Sequence, residues 1–115
     1  KGNGAAGSAN QFDGAYYHTG FRPKWIMIRN INPNTTGDWV IYDSAREPQN
    51  PMTTHLKANS NAAEAVTSSS GYELYIDFYA NGFKLKGPGG TINADGHVYL
   101  FMAFAEQPFK YANAR

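Results

Sequence analysis

The chain has 115 residues, with ten Lys/Arg against nine Asp/Glu, a formal charge of +1 and no cysteine. That length suits one domain and is too short for two. Dispersed, balanced charge excludes the basic stripe that neutralises a phosphate backbone, and with it nucleic acid as a partner; the missing thiols exclude a disulfide framework, a thiolate metal site and a Cys nucleophile.

Two Trp, eight Tyr and seven Phe supply ample core, so the body of the chain is expected to fold. No apolar run approaches the roughly 18–20 residues of a membrane-spanning helix, and no membrane insertion is expected. Residues 1–11 (KGNGAAGSANQ) read as a glycine-rich linker or the lead-in to the domain, and residues 12–115 as a single β domain. The start at Lys1, without Met or a hydrophobic leader, leads us to expect the C-terminal module of a longer protein.

From residue 12 the pattern is that of strands. Residues 12–18 (FDGAYYH) are rich in aromatics and stop at Thr19-Gly20. Residues 24–31 (KWIMIRNI) lie between Pro23 and the Asn-Pro-Asn cluster at 32–34. Residues 38–43 (DWVIYD) follow a polar turn, so the two runs read as a hairpin. Residues 44–71 hold two prolines and many Ser, Thr and Asn, and read as a long surface loop with some local order. One helical turn is expected at 61–66 (NAAEAV), with Asn61 as cap and Glu64 completing a capping box. Strands then resume. Tyr72, Leu74, Ile76 and Phe78 alternate with Glu73, Tyr75, Asp77 and Tyr79. Asn81-Gly82 is a strong hairpin signal, with Phe83 and Leu85 alternating with Lys84 and Lys86 beyond it. After the GPGG turn at 87–90 and the Asn93…Gly96 turn, residues 97–105 are apolar on both faces, which predicts a central strand covered on both sides. Six or seven strands at this spacing predict an all-β, antiparallel sandwich, jelly-roll-like, with at most one short helix.

The chemistry of the chain points away from catalysis. His18, His55 and His97 lack the spacing of zinc ligands, and neither a metal nor a cofactor is expected. Asp43, Glu73 and Asp77 are the carboxylates placed to converge as a glycosidase pair would, but such pairs occur in any β protein, and no enzyme is expected. GPGG lacks the Lys-Ser/Thr and helix of a phosphate loop. Asp43 and Arg46 are spaced to close a tight turn, the carboxylate taking backbone N–H groups or the guanidinium. The aromatics exceed the needs of a small core. Exposed Trp or Tyr suits sugar stacking or contact between subunits, against the commoner role of plain packing. Trp39, Tyr42, Arg46, His55, Tyr75 and Tyr79 are the candidate ligand or interface residues. Tyr75 and Tyr79, on a polar strand face, favour an interface. Trp39, Tyr42 and the loop at 47–59 are the candidates for glycan contact.

Thr19-Gly20-Phe21-Arg22-Pro23 with its hydrophobic strand, Tyr42-Asp43-Ser44-Ala45-Arg46, Asn81-Gly82-Phe83-Lys84-Leu85, Asn93-Ala94-Asp95-Gly96 and the ending Tyr99…Ala103-Phe104-Ala105-Glu106 resemble, in this order, the signature of a β-rich module. It occurs in tail-fibre-like and other virion structural proteins of tailed bacteriophages. The resemblance covers most of residues 2–115 and implies a non-enzymatic virion module, located on the particle. It implies a homo-oligomer (a trimer if it belongs to a fibre) that sits beside other virion proteins and touches the host surface. A lectin-like module recognising host surface glycan is the alternative. The shared residues are turn and strand-end residues, as in a scaffold whose loops vary.

Overall fold

Period-two burial marks residues 23–30 and 40–43. In residues 23–30, Ile26, Ile28 and Asn30 are buried, while Trp25, Met27 and Arg29 lie half-buried on the opposite side. A computed structural model of the protein, describing residues 1–4, 14–35, 37–66 and 74–107, turns that pattern into eight strands. They are β1 (Tyr16–His18), β2 (Pro23–Asn30), β3 (Val40–Asp43), β4 (Thr54–Lys57), β5 (Ala65–Val66), β6 (Ile76–Tyr79), β7 (Gly82–Leu85) and β8 (Tyr99–Ala105). All pair antiparallel, in a three-stranded sheet ordered β1-β7-β6 and a five-stranded sheet ordered β5-β4-β3-β2-β8. The fold is the two-sheet β-sandwich that the strand pattern predicts.

The core lies between the sheets. Ile26, Ile28, Val40 and Tyr42 from the larger sheet meet Ile76, Phe78, Phe83 and Leu85 from the smaller, with Met52 and Ile92 from connecting segments. Aromatic contacts close one end: Phe101 of β8 meets Phe83 edge-on at 5.0 Å, and Tyr17 stacks on Phe83 at 5.2 Å.

The turns expected from sequence hold the registers. Gly20 takes φ +79, a conformation that side chains resist, while Thr19 and Gly20 both donate to Asn81 O. Asn81-Gly82 joins β6 to β7, with Phe78 opposite Phe83. Gly82 has a second reason to be glycine. A Cβ there would stand 2.1 Å from Tyr17 O on β1.

Three expectations need correction. The strand at 97–105 is not central: β8 is an edge of the five-stranded sheet. Its outer side leaves Leu100 54%, Met102 50% and Phe104 57% exposed. Apolar residues on both faces of a strand state what each face prefers, not what covers it. The stretch read as a long loop contains β4 and β5. No helical turn forms at 61–66, because Ala65 pairs with His55 in the sheet and Glu64 forms an ion pair with Arg46 instead of capping.

Side chains of that stretch supply its order. Glu47 accepts four hydrogen bonds: Oε2 takes the N–H groups of Thr53 and Thr54 at 2.7 and 2.8 Å and the Thr54 hydroxyl at 2.8 Å, and Oε1 takes the Thr53 hydroxyl at 2.8 Å. Burial pushes its carboxyl up, but these bonds together outweigh it and hold Glu47 below the usual carboxylate range. Asn50 bonds both polar groups of Phe78, donating to its O at 2.8 Å and accepting its N–H at 3.0 Å. This ties the stretch to β6.

Residues 1–4 are pinned to the turn before β8. Gly2 N–H donates to His97 O and Gly4 N–H to Asn93 O, both at 2.9 Å. Buried Asn93 exchanges hydrogen bonds with Asn3 and donates to Gly87 O. At least these four residues of the expected linker are therefore part of the domain; residues 5–13 lie outside the described part, as do Glu73 and Tyr72.

Candidate functional site

The six residues singled out from sequence do not form one site. Tyr42 is fully buried, and its hydroxyl donates to Leu74 O at 2.6 Å. Burial raises its phenol above the ordinary range. No ligand reaches it, so Tyr42 belongs to the core and not to a glycan surface. His55 is also buried, with its ring 6.3 Å from that of Tyr42 and its Nδ1 without a partner. Burial, aided by the charge of Lys57, lowers its pKa against the opposing pull of Asp38 and Glu64. It too is a core residue and not a surface contact.

Asp43 and Arg46 share a turn that the Asp43 carboxylate closes on backbone N–H, as one of the two expected alternatives has it, and not by an ion pair between the two side chains. Asp43 Oδ1 accepts the Ala45 N–H at 2.8 Å, and Asp43 O accepts the N–H groups of Arg46 and Glu47. The Arg46 guanidinium pairs with Glu64. Trp39 is half-buried, and the guanidinium of Arg29 lies 5.4 Å from its ring centre. That cation–π contact occupies a ring face that sugar stacking would use.

Tyr75 and Tyr79 fare differently. Tyr75 is half-buried just ahead of β6. Tyr79 is 41% exposed and donates its hydroxyl to Asp77 Oδ2 at 3.0 Å. Burial, then this hydrogen bond and the Asp77 charge, raise its phenol. The residue it meets is Tyr16 of β1, edge-on at 6.2 Å. The two rings, with Ala80, Asn81 and Lys84, line an open cleft of about 500 Å³. Gly82 allows this, since a Cβ there would stand 2.8 Å from the Tyr16 hydroxyl. Below lies Asp77, which also pairs with Lys86 at 3.0 Å and keeps one buried oxygen, Oδ1, without a partner. Sequence reading took Asn81-Gly82 only as a turn. The tyrosine-rich first strand was the signal that pointed to Tyr16.

A smaller cleft of about 330 Å³ lies at the other end, lined by Asn30, Asn34, Thr35, Thr91 and His97 among others. Its deepest polar group is satisfied: the Asn30 amide donates to Gly90 O at 2.8 Å and bonds His97 Nδ1 at 2.9 Å. Among the described residues, Asp43 and Asp77 do not converge. Asp43 stands opposite Trp25 on the outer side of the five-stranded sheet, whereas Asp77 stands opposite Lys84 on the outer side of the other. Among the described residues no three His, Asp or Glu gather as a metal site would require.

A further candidate surface is that outer side of the five-stranded sheet. Register aligns Leu56 with Ile41, Ile41 with Met27 and Met27 with Met102, an apolar row across four strands. Trp25 stands beside Phe104 in the next row, their rings 5.5 Å apart, and Arg29 beside Leu100 in the row beyond. Val66 of β5, 65% exposed, extends the apolar side.

The profile of a family described as "Domain of unknown function (DUF7483)" matches residues 2–108, and the chain belongs to that family. No curated protein and no solved structure matches the chain.

Proposed function

We propose that this member of the family is a non-enzymatic structural and attachment module of a virion, of the tail-fibre or appendage kind. It works within a homo-oligomer, threefold where the parent is a fibre, beside other virion proteins and against the host surface. The observation that carries this reading is the apolar outer side of the five-stranded sheet. An apolar row that crosses four of the five strands favours burial against a neighbouring polypeptide. The residues that resemble the phage signature fit the same role. Gly20, Asp43, Asn81 and Gly82 hold turns and registers, as a presented scaffold needs.

Antibody against the module, applied to gradient-purified particles from a producing culture, should label one fixed position by electron microscopy. Module protein that stays in the lysate supernatant and never bands with particles would sink the virion reading.

A second reading, carbohydrate recognition, is favoured by the Tyr16–Tyr79 cleft. Two exposed rings beside an amide and an ammonium suit the apolar and hydroxyl sides of a sugar. Glycan-array binding lost on Tyr79→Ala, with circular dichroism unchanged, would support it; binding that survives Tyr79→Ala would refute that site.

A further inference from the structure

We propose that the outer side of the five-stranded sheet is covered by a second copy of this chain, packed face to face about a twofold axis. The inference rests on the homo-oligomeric reading above, not on its threefold fibre form, and names an interface and a symmetry for it.

Area is the first argument. The face has eight residues in β2, seven in β8, four each in β3 and β4 and two in β5, which at about 3.4 Å rise and about 4.8 Å spacing cover roughly 400 Å² in projection. With the side chains that stand on it, this is the low end of the range of specific interfaces, about 600 Å² per partner. Sheets stack in this way about 10 Å apart, with strand directions aligned to within about 30°. Five strands with an apolar outer side are half of such a sandwich.

Charge placement is the second argument, and it selects the same chain as occupant. Asp43 lies in the row of Trp25 and Phe104, on one side of the apolar row. Arg29, stacked on Trp39, lies in the row of Leu100, on the other side. A twofold axis along the apolar row, at right angles to the strands, exchanges the two flanking rows. Asp43 of each copy then faces the Arg29–Trp39 pair of the other, twice over, and Phe104 faces Leu100. Met27, Ile41 and Met102 lie on the axis and meet their own equivalents. Within these three rows no like charges meet. A self-complementary patch of this kind is what an isologous interface requires.

The test uses the full chain in sedimentation equilibrium at micromolar concentration. The expected mass is that of a dimer, and Met102→Lys should raise the dimer dissociation constant by about 100-fold or more. Because the chain has no cysteine, Met102→Cys provides a second measurement that does not depend on the lysine variant folding. Mild oxidation should link it to its own copy across the axis, and should leave Ala80→Cys, on the opposite sheet's hairpin, unlinked. A monomer at all concentrations overturns both the inference and the oligomeric part of the proposed function. An oligomer indifferent to Met102→Lys, with Met102→Cys unlinked, overturns this interface alone. So does a trimer, which keeps the oligomeric reading and removes the twofold.

Discussion

Removing Glu47 tests whether one carboxylate organises the segment between β3 and β4. Its two oxygens take four hydrogen bonds from Thr53 and Thr54, all at 2.7–2.8 Å. A hydrogen bond to a charged acceptor contributes about 1.5–3 kcal/mol. These groups are only partly buried, and water replaces part of each bond once the carboxylate is gone. Taking about 0.5–1 kcal/mol for each gives a loss of about 2–4 kcal/mol for Glu47→Ala, a large share of the ~5–15 kcal/mol of a domain. At about 4–6 °C per kcal/mol for this size, the melting midpoint should fall by about 10–20 °C. Glu47→Gln should fall between, since it places an amide donor against a set of donors. Thermal melting followed by circular dichroism reads this directly. The sign of the pH dependence gives a second check. The folded carboxyl sits below its usual range, so its stabilisation is complete above the unfolded pKa and is lost as pH falls through the folded one. The Ala variant should therefore lose less stability on acidification than the parent. An Ala variant melting within about 2 °C of the parent, a change of well under 1 kcal/mol, would refute the idea that Glu47 holds this segment.

Other positions respond to different physics. His55 is buried with a lowered pKa, so between its folded and unfolded values the unfolded chain binds the extra proton. Stability in urea should be full above the ordinary imidazole range and decline as pH drops through it; a His55→Leu variant with the same slope between pH ~7.5 and ~5.5 would assign the decline elsewhere. Gly82→Ala forces a Cβ to 2.1 Å from Tyr17 O. It should part β1 from β7 and cost about 3 kcal/mol or more, read as a lower denaturation midpoint. A variant within about 0.5 kcal/mol of the parent would mean the strands separate without strain.

How much was legible follows from where the information is local. β2 and β3 announce themselves by alternation, and β6 and β7 by Asn81-Gly82, because period and turn chemistry are properties of neighbouring residues. β4 and β5 do not. Thr54–Lys57 carries one buried residue, His55, among half-buried ones, and becomes a strand because β3 offers an edge. Trp39 and Tyr42 look equally fit for ligands in the sequence. Three positions apart on one strand and its approach, they point to opposite sides, and the second sheet covers only the side of Tyr42. The Tyr16–Tyr79 pairing crosses an intervening strand, so no sequence spacing reveals it. β8 is the instructive case: its composition shows two apolar faces, while the described residues cover its inner face in part and leave Leu100, Met102 and Phe104 of the outer face exposed.

The clasp between residues 1–4 and the turn at 93–97 bears on how the domain carries mechanical load. A tether attached ahead of Gly2 would pull on backbone hydrogen bonds to Asn93 and His97, and through them on the approach to β8. Beyond that lies the seven-residue β8, joined to β2 along its length. Tension would thus enter the larger sheet before it reached the three residues of β1. The short strand that a lever would peel first is kept out of the line of force until the clasp gives way.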